Sequence, residues 1–102
     1  MYYARSTAKQ ARTGLKKIHL IDIDWDGESI NEVAAHSLYP WEVEEAALYD
    51  TGRQAKLVSD DRHGERLQVL GTCEWNGKKL RVFIRMIDVE MGVGRVITAW
   101  EV

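Results

Sequence analysis

The chain has 102 residues, 14 Lys and Arg against 16 Asp and Glu, a formal charge of -2 and 45% hydrophobic residues. That length supports one domain around a single core, and the lone Cys73 excludes a disulfide framework. No apolar run approaches the roughly 18 residues of a bilayer span, and no apolar stretch follows the basic N-terminus, so a cytoplasmic protein with no membrane association is expected.

Residues 1–19 carry Arg5, Lys9, Arg12, Lys16 and Lys17 and no acid, a charge of +5 that leaves -7 on the rest. Overall charge therefore cannot draw the folded part to nucleic acid, and any anion site there must be local. Val, Ile and Leu are nearly missing before Ile18, so residues 1–17 read as a flexible or loosely helical segment and residues 18–102 as one domain. The functional alternative for the segment is a nucleic-acid arm with steeply salt-dependent binding.

Ile18, Leu20, Ile21 and Ile23 predict a first strand that turns at Asp24-Trp25-Asp26-Gly27. Ser29 with Glu32 three residues on matches a capping box, and Ile30, Val33 and Ala34 give the stripe of a helix ending near His36. Pro40 suits the first turn of a second helix, with Trp41, Val43, Ala46 and Ala47 on one side and Glu42, Glu44 and Glu45 complementing its N-terminus. Asp50-Thr51-Gly52 ends it, and strands follow.

Residues 53–59 form the first of these, joined by a polar loop to a hairpin around Asn76-Gly77. A two-residue type I′ loop there sets Cys73 against Leu80, Gly71 against Val82, Val69 against Ile84 and Leu67 against Met86, a wholly apolar or glycine face. The other face pairs Thr72 with Arg81, Leu70 with Phe83 and Gln68 with Arg85. Gly92-Val93-Gly94 then leads into a last strand over 95–100. The order predicts an α+β fold, two short helices packed on one face of an antiparallel, mostly meander sheet whose other face is open.

On that open face Lys79, Arg81, Phe83 and Arg85 project together at period two. Two guanidiniums about 7 Å apart beside an aromatic ring can clamp a phosphate and stack a base, which makes the strand a candidate RNA platform. The structural alternative is a solvated face with Glu74 and Lys79 as a cross-strand ion pair. His19, His36 and His63 lack metal-ligand spacing, and Asp60, Asp61 and His63 read as turn chemistry, so no metal or other cofactor is expected. His36 reads either as a C-terminal cap of the first helix or as a proton-transfer residue. Cys73 falls on the core face as an inert thiol, and Trp25, Trp41, Trp75 and Trp100 read as core or partner-facing aromatics.

Several short motifs fall in a recognisable order: Trp25-Asp26, Asn31, Ala35-His36-Ser37-Leu38, Glu44-Glu45-Ala46, Arg66-Leu67 leading to Gly71, and Ile97-Thr98-Ala99-Trp100. Over about residues 20–100 the chain thereby resembles the BrnT family of toxin-antitoxin systems, whose members have a RelE-like ribonuclease fold. The resemblance implies a toxin-like endoribonuclease with an antitoxin partner, in which basic side chains help a ribose 2′-hydroxyl attack its own phosphate without a metal. The expectation carried forward makes His36, Arg81 and Arg85 the catalytic residues and Lys79, Phe83, Thr98 and Trp100 the RNA or partner contacts. Ala35, Thr72 and Trp100 stand where the family has basic residues, and the helix that often follows has no counterpart before Val102. Those losses favour a second expectation, a non-catalytic protein-interaction or homodimer module on the same fold.

Overall fold

The computed structural model describes residues 2–5, 16–62 and 64–102. Strands β1 (Tyr2–Arg5) and β2 (Lys16–His19) pair antiparallel as a separate two-stranded unit. Then come β3 (Asp22–Ile23), α1 (Gly27–Ala35) and α2 (Pro40–Glu44), which runs directly into a π-helical turn over Glu45–Tyr49. Strands β4 (Gln54–Asp60), β5 (Gly64–Thr72), β6 (Lys79–Asp88) and β7 (Val93–Glu101) complete the chain. The protein is α+β, with two short helices and a five-stranded sheet in the order β3-β7-β6-β5-β4. No helix among the described residues is long and apolar enough to cross a membrane.

The sheet is mixed, which corrects the antiparallel expectation. Strands β4 to β7 form the antiparallel meander, but β3 lies parallel to β7, Asp22 beside Val93 and Ile23 beside Gly94. Parallel neighbours need a long crossover, and the two helices with the meander supply it. Backbone bonds from Ile21 N–H to Gly92 O (2.8 Å) and from Asp24 N–H to Gly94 O (2.8 Å) fix this edge. The strand expected from Ile18 to Ile23 is thus split between two sheets. Lys16 and Lys17, expected in a loose helical segment, belong to β2, where they face the aromatic, strand-favouring stretch Tyr2–Arg5. Residues 6–15 lie outside the described part.

Helix α1 starts one turn earlier than Ser29 suggests. Asp26 is the N-cap; its Oδ1 accepts from Ser29 N–H (2.8 Å) while Ser29 Oγ accepts from Asp26 N–H (3.0 Å). Ser29 is buried, so the reciprocal cap uses Asp26-Ser29, and Glu32 is released for other contacts. Of the predicted stripe only Val33 is buried. At the far end Ser37 takes φ 62, Leu38 N–H bonds Val33 O and Ser37 N–H bonds Ala34 O, the pattern of a Schellman close. That turn seats Leu38 in the core and brings in α2 with Pro40 at its first turn.

Leu20, Val33, Leu38, Val43, Ala46 and Ala47 pack on Leu67, Val69, Leu80, Val82, Ile84, Val96 and Ala99. Small residues bring helix and sheet close together. A Cβ on Gly71 would lie 2.0 Å from the backbone oxygen of Ala46. Trp41, expected on the packed side of α2, is exposed and stacks on Tyr39, whereas Glu42 is buried.

Glu42 also explains why the hairpin register differs from the predicted one. Leu67 faces Ile84, Val69 faces Val82 and Gly71 faces Leu80, a slip of two residues that keeps every side chain on its predicted face. The loop is correspondingly longer: Cys73 N–H bonds Lys78 O (2.8 Å), and Gly77 has φ 74 while Asn76 does not take the positive φ of a type I′ turn. Asn76 Nδ2 donates to Glu42 Oε2 (2.7 Å), and Lys78 Nζ lies 2.9 Å from the same oxygen. A tertiary bond to a buried carboxylate thus outweighs the local preference of Asn-Gly for a two-residue loop.

Burial alone would raise the Glu42 carboxyl, but the bonds from Tyr39 N–H, Lys78 and Asn76 outweigh it and hold it below the ordinary value of 4.5. A lowered native pKa means that stability is fully present above the unfolded value and is lost as pH falls through the native one. Urea unfolding of the wild type should therefore weaken steadily below about pH 4.5. Glu42→Gln should show a shallower acid limb, and equal limbs would remove Glu42 from the account.

Candidate nucleic-acid interface

Strand pairing turns the open face into a grid. One row across the sheet is Gln54, Leu70, Arg81 and Trp100; the next is Lys56, Gln68, Phe83 and Thr98. Val58 and Arg66 begin a third row, and continuing the β5–β6 register places Arg85 beside Arg66, where both border a small cavity. Neighbours in a row are about 4.8 Å apart and successive rows about 7 Å. A β-bulge between Phe83 and Ile84 absorbs Ile97, so Val96 and Ala99 both reach the core while Thr98 and Trp100 stay on the open face.

Four of the expected residues meet here. The Phe83 and Trp100 rings lie 5.4 Å apart at 35°, and His36 from the end of α1 approaches Trp100 at 6.2 Å. Thr98 Oγ1 donates to Glu32 Oε2 (2.8 Å), and His36 Nε2 lies 3.3 Å from that same oxygen. The imidazole therefore does not cap helix carbonyls. The backbone N–H of His36 makes the capping bond to Val33 O, and the ring is oriented by a carboxylate at the rim of the sheet.

The arginines stand differently from the expected single clamp. Four strand positions separate Arg81 from Arg85, about 13 Å, so they cannot hold one phosphate between them. Phe83 lies between them, and Arg66 on β5 carries its guanidinium carbon 4.9 Å above the Phe83 ring. Arg85 also borders a second small cavity with Asp26, Glu32 and Arg95. Arg95 is committed to acids, pairing with Asp24 and reaching Asp26 at 3.6 Å; the bond to Asp24 raises its pKa above the usual value. Lys79 is exposed one row beyond Arg81, beside Thr72. Its suggested partner Glu74 lies instead in the hairpin loop.

Lys56, Arg66, Lys79, Arg81 and Arg85 thus share one face, and Asp26, Glu28 and Glu32 border it beside Arg85. Most of the acids sit in the helical layer and loops. Charge of both signs is sorted spatially, and a chain of negative total charge presents a basic sheet face. Lys56 joins this site only through the β4–β5 register and Arg66 lies just beyond the hairpin pairs that the sequence sets, whereas Gln68 is already expected on this face. Sequence reasoning missed Glu32 because the capping frame was off by one turn.

Cys73 is buried and free, in keeping with an inert thiol. Trp25 packs against the core and donates Nε1–H to Glu44 Oε2 (3.1 Å), while Trp75 is exposed on the hairpin loop. His63 lies outside the described residues. Among those described, no three His, Cys, Asp or Glu side chains converge as metal ligands. No family model matches the chain, and neither a curated protein nor a solved structure matches it.

Proposed function

We propose that the chain is a toxin-like RNA-binding protein of the BrnT type and RelE-like fold, whose open sheet face takes single-stranded RNA. The observation that carries this reading is the Arg66–Phe83–Trp100 stack at the centre of the basic face. Aromatic faces stack any base, and separated guanidiniums take successive phosphates, which together suit an unpaired strand. At the rim, His36 Nε2 lies 3.3 Å from Glu32 Oε2, so the carboxylate holds that side of the ring and the opposite nitrogen, Nδ1, is the one left for proton transfer. In this reading His36 takes the proton of a ribose 2′-hydroxyl whose oxygen attacks the adjacent phosphorus, and Arg81 or Arg85 bears the charge that develops. The bond to the 5′-oxygen of the next nucleotide breaks, that oxygen leaves as a hydroxyl after taking a proton from water, and a 2′,3′-cyclic phosphate remains. An antitoxin would cover the same face.

Fluorescence anisotropy with labelled single-stranded RNA tests the binding. The wild type should bind, and Arg81→Ala with Arg85→Ala should weaken binding at least about tenfold. Failure of the wild type to bind RNA overturns the reading. Expression in a bacterial host should slow growth, and His36→Ala should relieve it; equal growth arrest by both proteins removes His36 from the chemistry.

One observation favours a non-catalytic module on the same fold. Ala35, Thr72 and Trp100 stand where the resembled family is basic, and Trp100 adds apolar surface that a protein partner or second copy could cover. That reading predicts a stable complex or dimer, lost on Trp100→Lys, without RNA binding.

A further inference from the structure

A cavity of about 320 Å³ opens on the β4 side of the basic face, bordered by Gln54, Lys56, Gln68, Leu70 and Arg81. The register explains its shape: Leu70 lies between Gln54 and Arg81 in one row, and Gln68 lies beside Lys56 in the next. Leu70 is half-buried and forms an apolar floor. Among the described residues neither amide has a hydrogen-bond partner in the protein, and the buried Nε of Arg81 has none either. Three unpaired polar side chains thus surround one apolar floor, a composition that suits a flat, polar-edged ligand better than a bare phosphate.

Resting on the RNA reading above, we propose that this cavity is a base-reading pocket selective for guanine in single-stranded RNA. Guanine places two adjacent acceptors, O6 and N7, on one edge, and an arginine fork matches them bidentately. Its other edge presents N–H donors, which the carbonyl oxygen of Gln54 or Gln68 can accept. Adenine presents an amino donor beside N7 and so meets the guanidinium donor to donor. Cytosine can offer N3 and O2 to the fork, but it lacks the N1–H and amino donor pair that guanine turns to the glutamine carbonyls. Uracil offers one acceptor to the fork and ranks second. The base lies on Leu70, and neighbouring bases continue onto Phe83 and Trp100.

The test compares labelled hexaribonucleotides of uridine carrying one central guanosine, adenosine or cytidine, titrated by anisotropy. The wild type should bind the guanosine strand about tenfold more tightly than the adenosine strand. Arg81→Lys, which keeps the charge but removes the fork, should shrink that ratio to within about twofold, and Gln54→Ala with Gln68→Ala should reduce it as well. Thermal unfolding of each variant checks that it is folded. Binding of all three strands with equal affinity overturns the pocket and leaves the RNA face standing. A wild type that binds none of them overturns the RNA reading itself.

Discussion

Gly71→Ala is expected to be the most damaging single methyl in the protein. A Cβ there would lie 2.0 Å from the backbone oxygen and 2.8 Å from the backbone carbon of Ala46, in the π-helical turn that follows α2. Neither atom can swing aside as a side-chain end can, so the helical layer must lift or the strand must bend. Overpacking typically costs about 1–3 kcal/mol, and a clash with backbone on both sides belongs at or above the top of that range. Gly27, where a Cβ would meet nothing within 4 Å, is the matched control. Urea unfolding should move the Gly71→Ala midpoint far below that of the wild type, with Gly27→Ala close to it. An unchanged midpoint for Gly71→Ala would show that α2 is not seated on β5 as described.

The second large effect concerns the aromatic pair. Phe83 and Trp100 lie side by side across β6 and β7, their rings tilted by 35° and their centroids 5.4 Å apart, with Arg66 above Phe83, and base stacking on such rings is worth about 1–3 kcal/mol per base. Phe83→Leu together with Trp100→Leu keeps apolar bulk on the sheet but removes both π faces. Affinity for unpaired RNA should fall at least about thirtyfold, while the unfolding midpoint moves little by comparison. If affinity is retained, the bases do not lie on this pair and the face binds through charge alone.

Much of this site was legible before the structure, because strand parity survives errors of register. The hairpin slipped by two residues relative to the Asn76-Gly77 prediction, yet Leu67, Val69 and Gly71 remain inward and Arg81, Phe83 and Arg85 outward. Face assignment depends on the alternation alone. Register depends on the turn, and here the turn is set by Glu42, a glutamate that helix amphipathicity would place in water. The helical layer was less legible for the same reason: Asp26 rather than Ser29 caps α1, Glu42 rather than Trp41 is buried, and both choices are decided by partners far away in sequence. The parallel edge strand β3 has two residues, too few to carry a pattern. Gln68 meets Phe83 through the two-residue slip of the hairpin, and Lys56 joins them only through the pairing of β4 with β5.

Two basic regions compete to explain any RNA binding by this chain, the sheet face and residues 1–19 with their charge of +5. The salt dependence of affinity separates them. For single strands the slope of log K against log salt is about -0.7 per phosphate neutralised, so Lys56, Arg66, Lys79, Arg81 and Arg85 together predict a slope of about -3.5. Removing Arg81 and Arg85 should make that slope shallower by about 1.4 as well as weakening the binding. The most direct measurement is therefore a titration of an adenosine-only single strand, which leaves the Arg81 fork to the phosphates, from about 50 to about 200 mM salt, with the wild type and the Arg81→Ala, Arg85→Ala protein side by side. The account predicts a slope that falls by about two fifths in the variant. Equal slopes in the two proteins would contradict it and place the RNA elsewhere on the chain.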